Sequence, residues 1–428
     1  MTDPLKVCIA NPQFESTSAC TYYRIDIPAV QMRELYGAKV FRVLPHMEQE
    51  LNLKAKVSAD VTMWYNLIGE GVLDNVRTIK DMKAEELDGV LRFPPATIWD
   101  SDDNTDYVHP VNTSFAVHGV RGYPSNELLR PGEQLHLEDE TGNVFQAWVD
   151  LETLNDDGLL FDIERNLHLM KLRHQIVREV HGVTTPSTVL ASYFRDVIGQ
   201  KNVHVFPNTI LPNDYPGFDL IPSKEIRILW QGGMSHYIDW YPLRYAIREV
   251  SDKYPHVKWV VFGEDFKFHN ILPPERVERV AWVPYSAYRI RRGLMQAQIN
   301  LCPLSDNVFN RCKSAIKWYE ASIIRDPEAT LASRVPPFSL EMTDGVNGLL
   351  YSTPEEFVQK LSLLIEDEQL RKTLGANAKQ WVLDNRTPEK TLPPLHDFYQ
   401  ECRRIRVREA LDRPVTDREF KKIVANAR

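Results

Sequence analysis

Residues 211–233, LPNDYPGFDLIPSKEIRILWQGG, decide the fold. The first part, 211–224, contains three prolines and no apolar periodicity, which is typical of a linker. The part that follows is a short apolar run ending in two glycines, which is typical of a buried parallel strand and a tight turn. Because the linker separates two stretches of similar organisation, the chain of 428 residues is predicted to contain two main domains.

On both sides of the linker, short apolar runs alternate with helical patterns. The runs include KVCIAN, KVFRVLP and ATIWDSDDN before the linker, and VKWVVFGED, INLCPLSD and ATLAS after it. This alternation predicts parallel, doubly wound sheets, so the fold class is α/β with two Rossmann-like domains facing a cleft. Residues 108–162 interrupt the first series, and the pattern around Thr141-Gly142-Asn143 predicts a β-hairpin insertion in the first domain.

The predicted organisation has four parts. They are an N-terminal Rossmann-like domain over 1–212, a linker over 213–224, a C-terminal Rossmann-like domain over 225–385, and a helical basic tail over 386–428. The net charge is −8, but residues 401–428 hold nine basic side chains against five acidic ones. That tail is either a solvated helix of mixed charge or a surface that contacts phosphates.

The composition limits the class of protein. Hydrophobic residues make up 43% and charged residues 26%, which is ordinary for a folded globular chain. The five cysteines are scattered and contain no C-x-x-C, which excludes a disulfide scaffold and a zinc ribbon and fits a reducing compartment. No membrane span and no signal peptide are predicted, so a cytoplasmic location is expected.

Two segments of the second half have residues suited to anion binding. Gly232-Gly233, followed by Ser235 and His236, would either bind phosphate at a helix start or form a tight turn alone. The segment 303–322 reads PLSDNVFNRCKSAIKWYEAS. A helix predicted near 313–324 would place Lys313, Lys317 and Glu320 on one face. That face suits a nucleoside diphosphate, and the alternative is a solvated face of ion pairs.

Two segments of the first half follow predicted strands. WDSDDN places Asp100, Asp102 and Asp103 at a strand end, where carboxylates either perform acid–base work or cap a helix start. Thr21-Tyr22-Tyr23-Arg24 follows the first strand, and Arg24 could clamp a phosphate, whereas the two tyrosines could equally be packing residues.

The second half resembles the carboxyl domain of the GT-B-fold glycosyltransferases. The resemblance is carried by the order of WQGGMSHYID, VFGE, WVPY, INLCPLSDNVFNRCKSAIKWYEAS, ATLAS and DGVNGLLYSTPEEF. Within that class the chain is most similar to the retaining family 4 group, and especially to its divergent bacteriophage members. The resemblance covers roughly residues 5–390. It implies transfer of a sugar from a UDP- or GDP-sugar to an acceptor hydroxyl with retention, with no required cofactor and no metal. A phage-encoded chain would act in the host cytoplasm.

The resemblance assigns a donor site to the second domain. Glu320 matches the second Glu of a Glu-x7-Glu motif, which in the family binds the nucleotide ribose. Cys312 replaces the first Glu, and Ser235 and His236 replace a basic pair, so the sugar and phosphate contacts must shift to neighbouring residues. The predicted donor-binding residues are Gly232, Gly233, Ser235, His236, Val283, Asp306, Asn307, Asn310, Lys313, Ser314, Lys317 and Glu320.

The resemblance assigns the acceptor to the first domain. Asp102 and Asp103 are the predicted catalytic residues, and Tyr22, Tyr23 and Arg24 are a predicted acceptor or phosphate loop. A hydroxymethylated base of phage DNA is one predicted acceptor. The alternatives are a surface glycan or a small metabolite, or a catalytically silent module that binds sugar nucleotides.

Overall fold

The structure is a computed structural model that describes residues 4–426 apart from 12–17, 44–48, 88–89, 111, 113, 124, 131–136, 139–143, 146–160, 216–217, 219–224, 234–235 and 264–271. The backbone contacts fall into two compact units. Unit 1 consists of Met1–Asp102, His168–Thr209 and Pro388–Arg428, and unit 2 consists of Asp103–Leu167 and Ile210–Thr387.

The strands are short and mostly parallel. They are β1 (Lys6–Ala10), β2 (Lys39–Val43), β3 (Val61–Tyr65), β4 (Glu85–Leu87), β5 (Val90–Arg92), β6 (Ala96–Asp100), β7 (Leu137–Glu138), β8 (Val144–Phe145), β9 (Gly182–Thr185), β10 (Val203–Val205), β11 (Ile226–Gly232), β12 (Val257–Gly263), β13 (Val277–Val280), β14 (Ile299–Cys302), β15 (Ala329–Ser333) and β16 (Leu349–Tyr351).

The α-helices lie between and after these strands. They are α1 (Ala19–Thr21), α2 (Ile27–Tyr36), α3 (Gln49–Val57), α4 (Glu70–Asp81), α5 (Phe115–His118), α6 (Ile163–Glu179), α7 (Thr188–Ser192), α8 (Tyr237–Trp240), α9 (Arg244–Lys253), α10 (Tyr285–Leu294), α11 (Val308–Arg311), α12 (Ile316–Ile323), α13 (Phe338–Glu341), α14 (Pro354–Glu366), α15 (Glu368–Asn385), α16 (Pro388–Leu411) and α17 (Asp417–Asn426). Wider π-helical turns continue α1 over Tyr22–Asp26 and α7 over Tyr193–Ile198.

Unit 1 is built on a six-stranded parallel sheet. Its strand order is β10-β9-β6-β3-β1-β2. The central strands β3 and β6 are buried along their whole length, as expected where helices cover both faces of a parallel sheet. Helix α16 supplies part of that cover, because Leu392, Leu395 and Tyr399 pack into the core of this sheet.

Unit 2 is built on a second six-stranded parallel sheet. Its order is β13-β12-β11-β14-β15-β16. The first strand of this sheet, β11, lies at the centre, and the later strands are added first on one side of it and then on the other. This order is that of a dinucleotide-binding sheet, whose ligands bind beyond the carboxyl ends of the strands where the winding direction changes. In unit 2 that point lies between β11 and β14.

The predicted fold class is confirmed, since both halves contain a parallel Rossmann-like sheet. The predicted hairpin is present as the antiparallel pair β7–β8, although its turn, Thr141-Gly142-Asn143, lies outside the described residues. The units differ from the predicted segments in two places: residues 103–167 group with unit 2, and residues 388–428 group with unit 1. Among the described residues, no helix combines the length and apolar character needed to cross a membrane.

Candidate functional site

Gly232 ends β11 at the point where the winding of the unit 2 sheet changes direction. A Cβ atom on Gly232 would lie 3.0 Å from Nζ of Lys317, 3.0 Å from Cδ2 of His236 and 2.8 Å from the ring of Trp230. Real Cβ contacts are rarely so short, so any larger residue at this position would have to displace Trp230, His236 or Lys317. The structure thus brings together three of the predicted donor residues.

An aspartate, a histidine and a lysine form a line beside Gly232. Nδ1 of His236 lies 2.7 Å from a carboxylate oxygen of Asp239, and Nζ of Lys317 lies 3.0 Å from Nε2 of the same imidazole. Burial lowers the pKa of His236 to about 4, and the charge of Lys317 acts in the same direction. The imidazole is therefore neutral near pH 7: its Nδ1–H donates to Asp239, and Nε2 accepts from the Lys317 ammonium.

Asp239 also fixes the loop that follows β14. Its second carboxylate oxygen accepts from the backbone N–H of Ser305 at 2.7 Å and from the side-chain amide of Asn310 at 2.8 Å. Asn310 is buried, and its side-chain amide donates to Asp239 and to the backbone carbonyl of Ser305. A carboxylate that joins two segments in this way holds the His236 side chain at a fixed position relative to the strand ends.

The other predicted sugar-contacting residues have local partners. Asn307 caps the N-terminus of α11, where its side-chain oxygen accepts from the backbone N–H of Asn310 at 2.8 Å. Asp306 is exposed and forms a two-bond ion pair with Arg311, whose N–H groups lower the pKa of this carboxyl. Asp306 is therefore the more accessible of the two, but a ligand would compete with Arg311 for it.

The predicted helix near 313–324 is present as α12, but it begins three residues later, so the predicted place of Lys313 on it is wrong. Helix α11 ends at Arg311 and α12 begins at Ile316, so Lys313 and Ser314 lie in the turn between two helices. Lys317 and Glu320 remain on one helix, whereas Lys313 does not share its face. Nζ of Lys313 lies 3.8 Å from a carboxylate oxygen of Asp103 and 4.5 Å from the centre of the Phe309 ring.

Glu320 is held in a polar cage inside unit 2. Its side chain is buried, and its carboxylate accepts hydrogen bonds from Gln231 at 2.7 Å, Tyr288 at 2.7 Å and Tyr215 at 3.2 Å. These donors come from β11, from α10 and from the turn at residues 212–215, where the predicted linker begins. Glu320 therefore has a structural role in unit 2, and a ribose hydroxyl would compete with these donors for its oxygens.

Trp282 is a candidate ligand contact that the sequence-based prediction missed. Its side chain is 62% exposed, and a Cβ on either Gly233 or Gly263 would lie 3.5 Å from its indole. The indole thus lies beside the ends of β11 and β12, where an aromatic surface can stack on a base. Its predicted neighbour Val283 is half-buried and packs on a small core around Leu229. Ser235 lies outside the described residues.

His109, in the first part of unit 2, was also missed. Its side chain is buried, and its ring lies against Tyr123 with 4.3 Å between the ring centres. Burial lowers the pKa of His109 to about 4, and the negative charge of Asp239 opposes that shift, so the two side chains interact. No sequence motif connects His109 with Asp239; the available signal was a histidine nine residues after Asp100, the acid that ends β6.

In unit 1, Arg24 lies in the interior. Its Nε donates to Asp100 at 3.0 Å, a second N–H donates to the other oxygen of Asp100, and a third donates to the carbonyl of Phe206. Both charged side chains are almost completely buried, and Thr184 also donates to Asp100. Arg24 therefore acts as a structural ion pair partner, and its guanidinium is not presented to a phosphate. Tyr23 beside it is buried and Tyr22 half-buried.

The three predicted carboxylates have separate environments. Asp100 pairs with Arg24, Asp103 lies near Lys313, and Asp102 accepts from the side chains of Asn66 at 2.6 Å and Tyr65 at 3.2 Å. Within the described ranges, no three His, Cys, Asp or Glu side chains form a group that could hold a metal ion.

Asp102 is held by the end of the neighbouring strand β3. Asn66, the residue after that strand, is exposed and has a φ of 49°, a left-handed conformation that is uncommon outside glycine. Its backbone N–H donates to the carbonyl of Asp100 at 2.9 Å. Asp102 is thus a half-buried carboxylate held by neighbouring side chains at the carboxyl end of the sheet, which is the edge where parallel sheets bind their ligands.

No family model matches the sequence, and no curated protein matches it. The structure is nevertheless similar to solved glycosyltransferases. Anabaena HepE in complex with UDP and glucose superposes with a TM-score of 0.56 at 11% identity, over 93% of this chain and 100% of that one. A glycosyltransferase from Rickettsia africae superposes with a TM-score of 0.57 at 10% identity, over 94% and 99%. The chain has the GT-B fold.

A third similar structure is longer. TarM superposes with a TM-score of 0.50 at 11% identity; the match covers 79% of this chain and 54% of TarM. The chain thus spans about half the length of TarM. At these identities the likeness establishes the fold, and the activity has to be argued from the site.

Proposed function

We propose that the chain is a glycosyltransferase that moves a sugar from a UDP- or GDP-sugar to an acceptor hydroxyl. The observation that carries this proposal is the cluster of Gly232, Lys317, His236 and Asp239 at the winding point of the unit 2 sheet. In this cluster, Gly232 leaves room for a ligand to approach the backbone, and the ammonium of Lys317 lies beside the end of β11. The similar structure of HepE was determined with UDP and glucose and with UDP-glucose, which supports a nucleotide-sugar donor here.

In this proposal Lys317 binds the diphosphate of the donor. When the bond between the sugar C1 and the phosphate oxygen breaks, negative charge develops on the departing nucleoside diphosphate. The ammonium of Lys317 would stabilise that charge, and the Gly232-Gly233 turn would let phosphate oxygens approach the backbone. Lys313 is a second cation near the site, at the turn between α11 and α12.

We propose that the exposed indole of Trp282 stacks on the nucleobase. The backbone of Val283 would then be close enough to contact the edge of the base, as the resemblance to family 4 implies. Glu320 would accept the ribose hydroxyls after exchanging one tyrosine donor. Of its two tyrosines, Tyr215 makes the longer hydrogen bond, at 3.2 Å against 2.7 Å, so it is the one we expect to be displaced.

Asp102 is the proposed reactive carboxylate of unit 1. The acceptor hydroxyl must lose a proton as its oxygen forms the new bond to C1, and positive charge develops on the sugar ring. A carboxylate held by Tyr65 and Asn66 could accept that proton or stabilise that charge. Asp103 is proposed as a weaker candidate, because Lys313 already lies 3.8 Å from it. Retention follows from the resemblance and is tested by the anomeric configuration of the product.

Some of the basic residues that favoured a DNA acceptor form ion pairs or hydrogen bonds within the protein, and others are exposed. In the tail, Arg403 pairs with Asp60, Arg404 with Glu401 and Arg413 with Glu419, while Arg406 is buried and donates to two backbone carbonyls. In α10, Arg292 forms a buried pair with Glu328 and Arg289 pairs with Asp214.

Among the described residues of both places, the exposed cations are Arg291, Arg408, Arg413, Arg418, Lys421 and Lys422, of which Arg413 is paired with Glu419. A few exposed cations on a chain of net charge −8 give little attraction to a polyanion. We therefore propose that the acceptor is a hydroxyl of a glycan or of a small metabolite. Transfer to a modified DNA base is the alternative that the experiment below tests.

The deciding experiment measures donor binding and donor hydrolysis together. UDP-sugars and GDP-sugars are titrated into the chain by calorimetry, and free nucleoside diphosphate is followed over time without acceptor and with glycan or hydroxymethylated DNA. Lys317→Met should weaken binding, and Lys372→Met, which removes an exposed lysine from α15, is the matched control. Slow hydrolysis supports the transferase. Stoichiometric binding without any turnover would support the silent module, and equal binding by both variants would show that the donor site is elsewhere.

A further inference from the structure

Lys317 is joined to a buried anion through a neutral histidine. Asp239 accepts from Nδ1 of His236, and Nε2 accepts from the Lys317 ammonium, which also lies 5.6 Å from the centre of the Trp230 ring. The aspartate is 3% exposed, and its second oxygen binds two further donors. A cation on a long flexible side chain is thus held by a hydrogen bond from a ring whose own orientation is fixed.

We propose that Asp239 and His236 are positioning residues that orient the ammonium of Lys317 toward the donor diphosphate. A single oriented cation would then replace the basic pair that binds the diphosphate in the family that the chain resembles. This inference rests on the proposed function. Asp239 selects the imidazole tautomer, because it accepts the Nδ1 proton and leaves the Nε2 lone pair facing the ammonium. If Nε2 of His236 could not accept, the Lys317 side chain would lose its fixed orientation, and its ammonium would lose one hydrogen bond that stabilises the charged form.

The electrostatics of Lys317 agree with this arrangement. Burial lowers the pKa of Lys317 to about 8, and Lys313 acts in the same direction, whereas Asp239, Glu320 and Cys302 oppose it. His236 is neutral near pH 7 and contributes an acceptor. Lys317 is therefore charged below pH 8 and loses its proton as the pH rises through that value. Binding of a nucleoside diphosphate should weaken over the same interval.

Three substitutions separate positioning from simple packing. His236→Phe keeps a planar ring and removes both nitrogens. His236→Gln keeps an oxygen that can accept from Lys317. Asp239→Asn can turn its NH2 group to Nδ1 of His236, which would shift the imidazole proton to Nε2 and turn a donor toward the ammonium. We expect His236→Phe and Asp239→Asn to raise the Kd for UDP about ten-fold at pH 7. His236→Gln should bind close to the wild type.

A second measurement does not depend on the donor. Pulse acetylation with acetic anhydride at a series of pH values, followed by mass spectrometry, gives the pH at which Lys317 becomes reactive. That midpoint should move to lower pH in His236→Phe and in Asp239→Asn, because each variant removes a group that favours the charged amine. It should remain in place in His236→Gln. If either His236→Phe or Asp239→Asn does not fold, the midpoint of the other variant tests the proposal.

The possible failures are distinguishable. A wild-type chain that binds neither UDP nor GDP would overturn the proposed function and this inference with it. A wild-type chain that binds UDP, with unchanged Kd and unchanged acetylation midpoint in His236→Phe and Asp239→Asn, would overturn the positioning role and leave the proposed function intact. Equal losses in His236→Gln and His236→Phe would also overturn it, because the retained acceptor would then have no effect.

Discussion

Replacing Glu320 by alanine should destabilise unit 2 as well as weaken nucleotide binding. The carboxylate is 3% exposed and accepts from Gln231, Tyr288 and Tyr215. A hydrogen bond to a charged group contributes roughly 1.5–3 kcal/mol, and the donors left behind would be buried without their acceptor. Since such losses are not additive and Tyr215 makes the longest of the three bonds, we expect a decrease of about 3–5 kcal/mol in the free energy of unfolding.

The assay is urea unfolding of the unliganded chain, followed by tryptophan fluorescence and circular dichroism. Glu320→Gln keeps one acceptor oxygen and should lose about half as much stability as the alanine variant. Glu368→Ala removes an exposed carboxylate from α15 and should leave the transition unchanged. A Glu320→Ala transition that coincides with that of the wild type would refute the structural role of the cage. Normal UDP affinity in a folded Glu320→Ala variant would separately refute its part in ribose binding.

Four further outcomes are expected. Asp102→Asn should lower the turnover rate about 10²–10⁴-fold and leave the Kd for UDP unchanged, as measured by steady-state kinetics and calorimetry. Lys317→Arg should abolish the decrease in UDP affinity between pH 7 and pH 9, because arginine stays charged across that interval. Trp282→Ala should weaken UDP binding by about 1–3 kcal/mol, whereas Tyr245→Ala, which removes an aromatic residue that is 74% exposed, should not. Arg406→Ala leaves the carbonyls of Ile79 and Met82 without their donor and should lower the melting temperature of unit 1 by several degrees, as followed by calorimetry.

The sheets were predictable from the sequence because their signal is local. A strand buried on both faces is mostly apolar, and β3, β6 and β15 are mostly apolar runs that are buried along their whole length. The interruption between α11 and α12 was not predictable, because apolar and polar spacing continues through it. The residue before α12 is Ala315, which makes no side-chain capping bond, so the usual mark of a helix start is missing.

The site was partly predictable for a related reason. His236 and Asp239 are three residues apart, so their contact was within reach of sequence reasoning, whereas His236 and Lys317 are separated by 81 positions. Arg24 illustrates the opposite error. A polar motif after a strand suggests a binding residue, but its partner Asp100 lies 76 positions away, and that pairing turns an apparent phosphate ligand into a core ion pair.

The return of α16 to unit 1 has a consequence for the order of folding during synthesis. The last strand of the unit 1 sheet ends at Val205, but Leu392, Leu395 and Tyr399, which cover that sheet, follow the whole of unit 2 in the chain. A ribosome adding ~5–20 residues per second needs roughly 10–40 s to make the intervening residues. Until α16 has been made, the core of this sheet lacks the contacts of these three side chains. We therefore expect the packing of unit 1 to be completed only after the whole of unit 2 has been synthesised.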